Sequence, residues 1–246
     1  LNTVKQTLWQ RKQESLQAEK RKDELVMYLA HDIRTPLTSV IGYLNVLEET
    51  PGLPADEREK YIHIATEKAY RLEQLINEFF DITRFGLQSA VLENNRIDFT
   101  MMLEQMADEF YPVLREKGLR MELSIEPGLQ LIGDSDKLAR VFDNLLRNAC
   151  HYSLPGTEVT VSGRAEGDQA ILVFSNHGPD IPPEKLERLF ERFFRLDSAR
   201  SSASGGAGLG LAIAKEIVEL HKGTITACSA GGETSFTVTL PLEAAP

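Results

Sequence analysis

A heptad run sets the first constraint on this chain. Val26, Ala30, Ile33, Leu37, Val40, Leu44 and Leu47 step by alternating four and three residues. That spacing lays apolar side chains along one seam of a helix. A break follows at Pro51-Gly52-Leu53-Pro54, and a second apolar ladder then runs through Ile62, Ala65, Ala69, Leu72, Ile76, Phe79 and Thr83. Two long helices joined by a tight turn are expected, with Asp56 capping the second. A lone helical hairpin buries only one narrow seam. Two hairpins meeting as a four-helix bundle bury both faces, so a homodimer is expected through this segment. Residues 1–25 are polar and helix-prone, with sparse apolar positions, and are expected to extend the first helix.

The rhythm changes near residue 90. Strands are expected at Ile97–Phe99, Met121–Ile125, Leu129–Ile132, Val159–Val161, Ala170–Phe174, Thr224–Ala227 and Ser235–Leu240. Helices are expected from Thr100 to about Arg115, over Lys137–Tyr152, over Pro183–Phe190 with proline in its first turn, and over Leu209–His221. Strands with helices on one face make an α/β two-layer sandwich, so the chain as a whole is α+β in class. Ser198 to Gly206 is rich in Ser and Gly and reads as a loop.

Charge and cysteine content narrow the function. Asp and Glu outnumber Lys and Arg by 37 to 27, a net charge of −10, which argues against nucleic acid as the ligand. The two cysteines, Cys150 and Cys228, are too few for a disulfide scaffold and read as reduced, buried thiols of an intracellular chain. No apolar run is long enough to span a bilayer, so no direct membrane contact is expected within these residues. The first residue is Leu and no leader pattern follows, so the chain reads as part of something longer.

Five short motifs carry chemistry. In His31-Asp32-Ile33-Arg34-Thr35-Pro36, His31 lies one step off the seam and faces solvent. A neutral imidazole has a free ring nitrogen near pH 7 and can act as a nucleophile. Asp32 can accept a proton from that ring or orient it. Thr35 falls at i+4 and can position a water. Pro36 leaves the carbonyl of Asp32 without its helical donor, so a kink is expected there. Taken alone, the hexapeptide also fits a surface histidine on a polar helix face.

Asn144 and Asn148 stand at i,i+4 on one helix, their amides pointing the same way. Amide oxygens are neutral hard ligands that suit Mg²⁺ when phosphate and water supply the rest. Two asparagines bonded to backbone or to each other fit equally well. Asn176-His177-Gly178-Pro179-Asp180 follows a strand, where Asn176 offers an acceptor and Gly178 permits close approach of a ring. By itself it is a turn. The glycines of Gly205-Gly206-Ala207-Gly208-Leu209-Gly210 lead into a helix and present backbone N–H groups to an anion. No strand precedes them, which disfavours a dinucleotide site. Gly231-Gly232-Glu233-Thr234-Ser235-Phe236 reads as a hairpin turn.

In that order and spacing, the motifs resemble a sensor histidine kinase from about Lys22 to Pro241. The resemblance implies a helical extension over 1–22, a dimerisation and histidine phosphotransfer hairpin over 23–90, and a Bergerat-type ATP-binding domain over 91–246. The wording of Tyr28–Ser39, Tyr70–Ile76, Asp136–Phe142 and Leu196–Ser202 is similar to the VanS-type sensors of vancomycin resistance. The resemblance implies that His31 is the phosphoacceptor for the γ-phosphate of ATP and that Asp32 is the general base. It makes Thr35 the residue that aligns water for dephosphorylating a partner response regulator. Asn148 matches the main Mg²⁺ ligand and Asn144 its helper. Tyr152 matches the ring near base or ribose, and Thr234 a hydroxyl near adenine. Gly206, Gly208, Leu209 and Gly210 match the phosphate-binding backbone, and Arg195 the γ-phosphate arginine. It also implies a membrane-anchored sensor whose catalytic part is cytoplasmic.

Three departures from the family pattern stand out. Asn176 replaces the aspartate that accepts from the adenine amino group, keeping an acceptor but losing the charge. Asp180 replaces the second glycine and is expected to narrow the pocket. His151 replaces a lysine that contacts phosphate. A neutral hydrogen bond is roughly half as strong as a charged one, so weak ATP affinity is expected. The alternative implied is a non-catalytic or phosphatase-only dimeric scaffold.

Overall fold

The computed structural model describes residues 30, 32–87, 92–196 and 208–242. Expectations for residues 1–25, Val26, His31, the Ser198–Gly206 loop and the side chains of Phe79 and Thr83 lie outside them. The chain divides into two compact units, Leu1–Thr83 and Arg84–Pro246.

In the first unit, helix α1 covers 32–49 and helix α2 covers Ala55–Leu87. The turn at 51–54 falls where proline and glycine placed it. Leu53 N–H donates to Thr50 O at 3.2 Å, and Arg58 N–H to Pro54 O at 3.0 Å. The second bond makes Pro54 the cap position of α2. Asp56 therefore sits inside the first turn with Glu57, where it complements the helix dipole, rather than capping as expected. Tyr43 and Tyr61 pack across the hairpin with centroids 5.5 Å apart.

The apolar seam splits in two. Ile33, Val40 and Leu47 are half-buried, and Ala65 and Leu75 are buried. Leu37, Ile41, Leu44, Ile62 and Ile76 remain 37–52% exposed.

In the second unit, β1 (Asn95–Asp98) pairs antiparallel with β3 (Gln130–Gly133). The main sheet has five strands in the order β2 (Arg120–Ile125), β4 (Glu158–Glu166), β5 (Gln169–His177), β7 (Glu233–Pro241), β6 (Thr224–Ala230). Only β2 and β4 run parallel. Helices α3 (Phe99–Glu116), α4 (Ser135–Tyr152) and α6 (Gly210–Leu220) pack against it. Alternation decides the buried face: Val159 and Val161 of β4, Ala170, Leu172 and Phe174 of β5, and Phe236, Val238 and Leu240 of β7 all point inward. Phe142 of α4 stacks on Phe174 at 5.5 Å and meets Phe99 edge-on at 5.8 Å. All three rings are fully buried.

Two details differ from the sequence expectations. Pro183–Phe190 is not one helix but a single α turn, α5 (Pro183–Leu186), followed by a 3-10 turn over Glu187–Phe190. Strands β4 and β5 each run nine residues, so Asn176 and His177 lie within β5 rather than after it.

Both long helices of this unit are capped by aspartates that close the β1–β3 ladder. Asp98 accepts from Met101 N–H at 3.1 Å, and this bond with Gln130's holds its carboxyl below the ordinary range. Asp134 caps α4 through Lys137 N–H at 3.1 Å, and its backbone N–H donates to His221 Nε2 at 3.0 Å. His221 Nδ1 lies 2.8 Å from Ile217 O, which fixes the neutral ring with its proton on Nδ1. Burial pushes the His221 pKa down. This ring ties the start of α4 to the end of α6.

Candidate nucleotide site

The site is built on α4. Leu138, Val141, Phe142, Leu145, Leu146 and Ala149 lock one face of that helix into the core. The adjacent face carries Asn144, Asn148 and Tyr152, spaced four apart. The first two are half-buried and Tyr152 is 39% exposed. Asn144 Nδ2 is buried and has no hydrogen-bond partner. An unpartnered buried donor is costly, and such a group in a folded protein calls for a ligand.

Each end of this row meets a glycine whose lack of a side chain is required. At the Asn144 end, a Cβ on Gly210 would stand 2.7 Å from Asn144 Oδ1. Gly210 is the first residue of α6, and Leu209 before it offers no side-chain cap. The first N–H groups of α6 are thus open at the point where Asn144 sits. At the Tyr152 end, a Cβ on Gly178 would stand 2.6 Å from Tyr152 O. Leu154 N–H also donates to His177 O at 2.9 Å, fastening the end of β5 to the end of α4. The row spans eight residues, about 12 Å of helix. A helix N-terminus stands at one end and a strand end at the other.

The strand end is a polar patch in an apolar sheet. Asn176 is 3% exposed and its Cα lies opposite Val159 and Thr234. Thr234 in turn pairs with Ser229, and their hydroxyls are 2.9 Å apart. Ser229 Oγ also accepts from Ile181 N–H at 2.9 Å. Asp180 does not narrow this pocket as expected. It is exposed and its carboxylate accepts from Gly232 N–H at 2.7 Å, while Gly178 N–H donates to Gly232 O at 2.9 Å. The departure at Asp180 therefore fastens the Gly231–Gly232 turn. Sequence reasoning missed Ser229. Counting outward from the two-residue turn, with Ala230 opposite Glu233, puts Ser229 beside Thr234, so the register carried the signal.

From the 3-10 turn, Phe190 packs edge-on against Phe236 at 6.4 Å, and Arg188 stacks over Phe194 at 4.5 Å. Phe193 adopts φ 66°, an uncommon backbone for an aromatic residue. Its N–H donates to Gly208 O at 2.9 Å. Gly208 itself has φ +74° and lies so close that a Cβ would meet Phe194 O at 2.9 Å. The two ends of the loop that separates these residues are clasped together. Arg195, just past the clasp, is half-buried. His151 is half-buried, its ring edge-on to Tyr152 at 4.7 Å. Gly206 lies outside the described residues.

In the helical unit, Asp32 is half-buried and Thr35 is exposed on α1. Ser39 Oγ donates to Thr35 O at 3.2 Å. Pro36 is buried. Among the described residues no helix is long and apolar enough to cross a membrane.

Comparison with known proteins matches both units. Residues 21–88 match the His Kinase A (phospho-acceptor) domain. Residues 133–244 match the histidine kinase-, DNA gyrase B-, and HSP90-like ATPase. The chain belongs to the sensor histidine kinases. It is 53% identical over 241 residues to the sensor protein VanS of Enterococcus faecium, covering 98% of this chain and 62% of that protein. It is 46% identical to the sensor protein VanSC of Enterococcus gallinarum, covering 98% of this chain and 66% of that protein. The chain thus spans somewhat under two thirds of these relatives. In fold it resembles the histidine kinase ThkA solved in complex with the response regulator protein TrrA, with a TM-score of 0.74 and 22% identity over 94% of this chain and 66% of that one.

Proposed function

We propose that this chain is the catalytic part of a membrane-anchored sensor kinase, working on the cytoplasmic side. It phosphorylates His31 from Mg²⁺-bound ATP and passes the group to an aspartate of a response regulator. It also removes it again. The observation that carries this reading is the α4 row, a buried amide donor without a partner beside the uncapped N-terminus of α6. The similarity to VanS-type sensors supports a role for this pathway in control of vancomycin resistance. Nothing in the comparisons favours the non-catalytic scaffold.

The proposed roles follow from position. The first N–H groups of α6, with the backbone of Gly206, Gly208, Leu209 and Gly210, hold the phosphates. Tyr152, Asn176 and Thr234 hold the base at the other end of the row, and His151 flanks it. Among the described residues no group of three or more His, Cys, Asp or Glu could hold a metal. Asn148 and Asn144 supply only neutral amides, a donor set that fits Mg²⁺ already carried by phosphates. When bound, that ion neutralises charge on the transferring phosphate.

In the forward step, a ring nitrogen of His31 attacks the γ-phosphorus. An N–P bond forms, the bond to the leaving ADP oxygen breaks, and Asp32 takes the proton from the other ring nitrogen. Arg195 stabilises the charge that develops. In the reverse activity, Thr35 directs a water at the phosphorylated regulator.

The hairpin's exposed stripe of Leu37, Ile41, Leu44, Ile62 and Ile76 supports a homodimer through a four-helix bundle. Titration of Mg²⁺-ADP into the wild type and Asn148→Ala tests the site. The wild type is expected to bind and the variant to lose at least about tenfold in affinity. Equal affinity in both proteins would contradict the placement of the site.

A further inference from the structure

Asn176 is the one large departure from the family pattern that lies inside the pocket, and its surroundings give it a second consequence. The residue is 3% exposed. Across the sheet it faces Val159 on one side and Thr234 on the other, with Ser229 next in the row. Its amide nitrogen lies 3.6 Å from the position a Cβ on Gly178 would take. The amide therefore sits at the lip where Gly178 keeps the pocket open.

Every hydrogen-bonding side chain in this row is neutral. Thr234 and Ser229 carry hydroxyls, each able to donate or accept. The acidic side chain closest in sequence, Asp180, is turned away onto Gly232 N–H. A carboxylate at position 176 could only accept. It would favour the amino group at C6 of adenine and repel a carbonyl oxygen there. An amide carries both an N–H and a C=O, and rotation of its last torsion presents either one. A site built around an acceptor alone rejects the wrong partner strongly, because a buried polar group is left unpaired. A site built around an amide leaves nothing unpaired with either base.

We propose that Asn176 makes this a general purine pocket, one that takes 6-oxopurine nucleotides alongside adenine nucleotides. This rests on the nucleotide-site reading above and names the substrate class of that same site. Inosine is the cleanest probe, since hypoxanthine differs from adenine only along this edge, with a carbonyl in place of the amino group at C6 and a proton on N1, and the hydroxyls of Thr234 and Ser229 can donate to or accept from either N1.

Equilibrium dialysis of the 246-residue chain against ADP and IDP, each with Mg²⁺, decides the matter. The wild type is expected to show a Kd ratio of IDP to ADP below about 10. Asn176→Asp is expected to raise that ratio at least about 20-fold, with ADP bound more tightly and IDP less. A wild-type ratio above about 10, or a folded Asn176→Asp with an unchanged ratio, would overturn the proposal while leaving the nucleotide site intact. Binding of neither nucleotide would overturn the site and the proposal together. Should Asn176→Asp fail to fold, Asn176→Ser is expected to weaken ADP and IDP in parallel. Loss of ADP alone would contradict the proposal.

Discussion

The two units are incomplete in opposite senses. The hairpin has apolar surface to spare among its described residues, with Ile41 and Leu44 about half exposed while Leu75 and Ala65 are buried. The sheet unit has its large rings sealed, with Phe99, Phe142 and Phe174 at zero exposure, and it leaves polar groups without partners in its interior. One unit lacks a nonpolar partner and the other lacks a polar ligand. In the function proposed above, a second hairpin completes the first and a nucleotide completes the second. The contrast supports both proposals without reference to any relative.

Core truncation gives the largest contrast between the units. Phe142→Ala removes the ring that stacks on Phe174, and a loss of about 3–5 kcal/mol is expected in urea denaturation of the sheet unit. Leu44→Ala, on the exposed stripe, is expected to change that transition by less than about 0.5 kcal/mol. It should instead weaken self-association in sedimentation. An equal effect of both substitutions on the denaturation midpoint would erase the distinction.

Gly210→Ala sharpens the picture of the site. The added methyl meets Asn144 Oδ1, so a cost of about 1–3 kcal/mol is expected together with weaker Mg²⁺-ADP binding. Calorimetric melts and the same titration check both effects.

A smaller effect is expected from pH. His221 is neutral in the fold, with its pKa held below 6.5 by burial. Below pH 6.5 the unfolded chain binds a proton that the folded one refuses. The contribution of this group to stability is therefore present above pH 6.5 and falls away as the pH drops below it. Asp134 and Lys137 face the ring. Burial alone would raise the Asp134 carboxyl, but its bonds to Lys137 and Glu93 overcome that and hold it below 3.8, so it does not titrate between pH 7.5 and 5.5. The urea midpoint is expected to fall between those values in the wild type and to fall less in His221→Gln.

The smallest effect is on cysteine chemistry. Cys228 is exposed on the edge strand β6, rather than buried as expected, while Cys150 is buried on α4 with its thiol pKa raised by desolvation. Iodoacetamide is expected to modify Cys228 more than about tenfold faster. Comparable rates would mean that α4 opens readily.

The periodicities in the sequence were enough to place the hairpin and the two-layer sheet. The heptad alone could not tell which half of the seam a single hairpin covers, because Ile33 and Leu37 look alike until the partner helix is in place. From periodicity alone, strand β4 reads only as Val159–Val161. Its outer half, Arg164 to Glu166, is exposed and polar and is held as strand by pairing with β5. Asn176 looked like a loop residue for the same reason, since a polar side chain at a strand end carries no mark of burial. Asp180 shows the converse. Its side chain could be named from sequence, but which amide it would meet depended on where Gly232 stood.

The central claim is that the open site in the sheet unit serves the histidine of the helical unit. Incubation of the 246-residue chain with γ-labelled ATP and Mg²⁺, beside His31→Gln, tests it most directly. Acid-labile, alkali-stable label on the wild type and none on His31→Gln is the expected result. No label on a folded wild type that binds ADP, or equal label on both proteins, would contradict it.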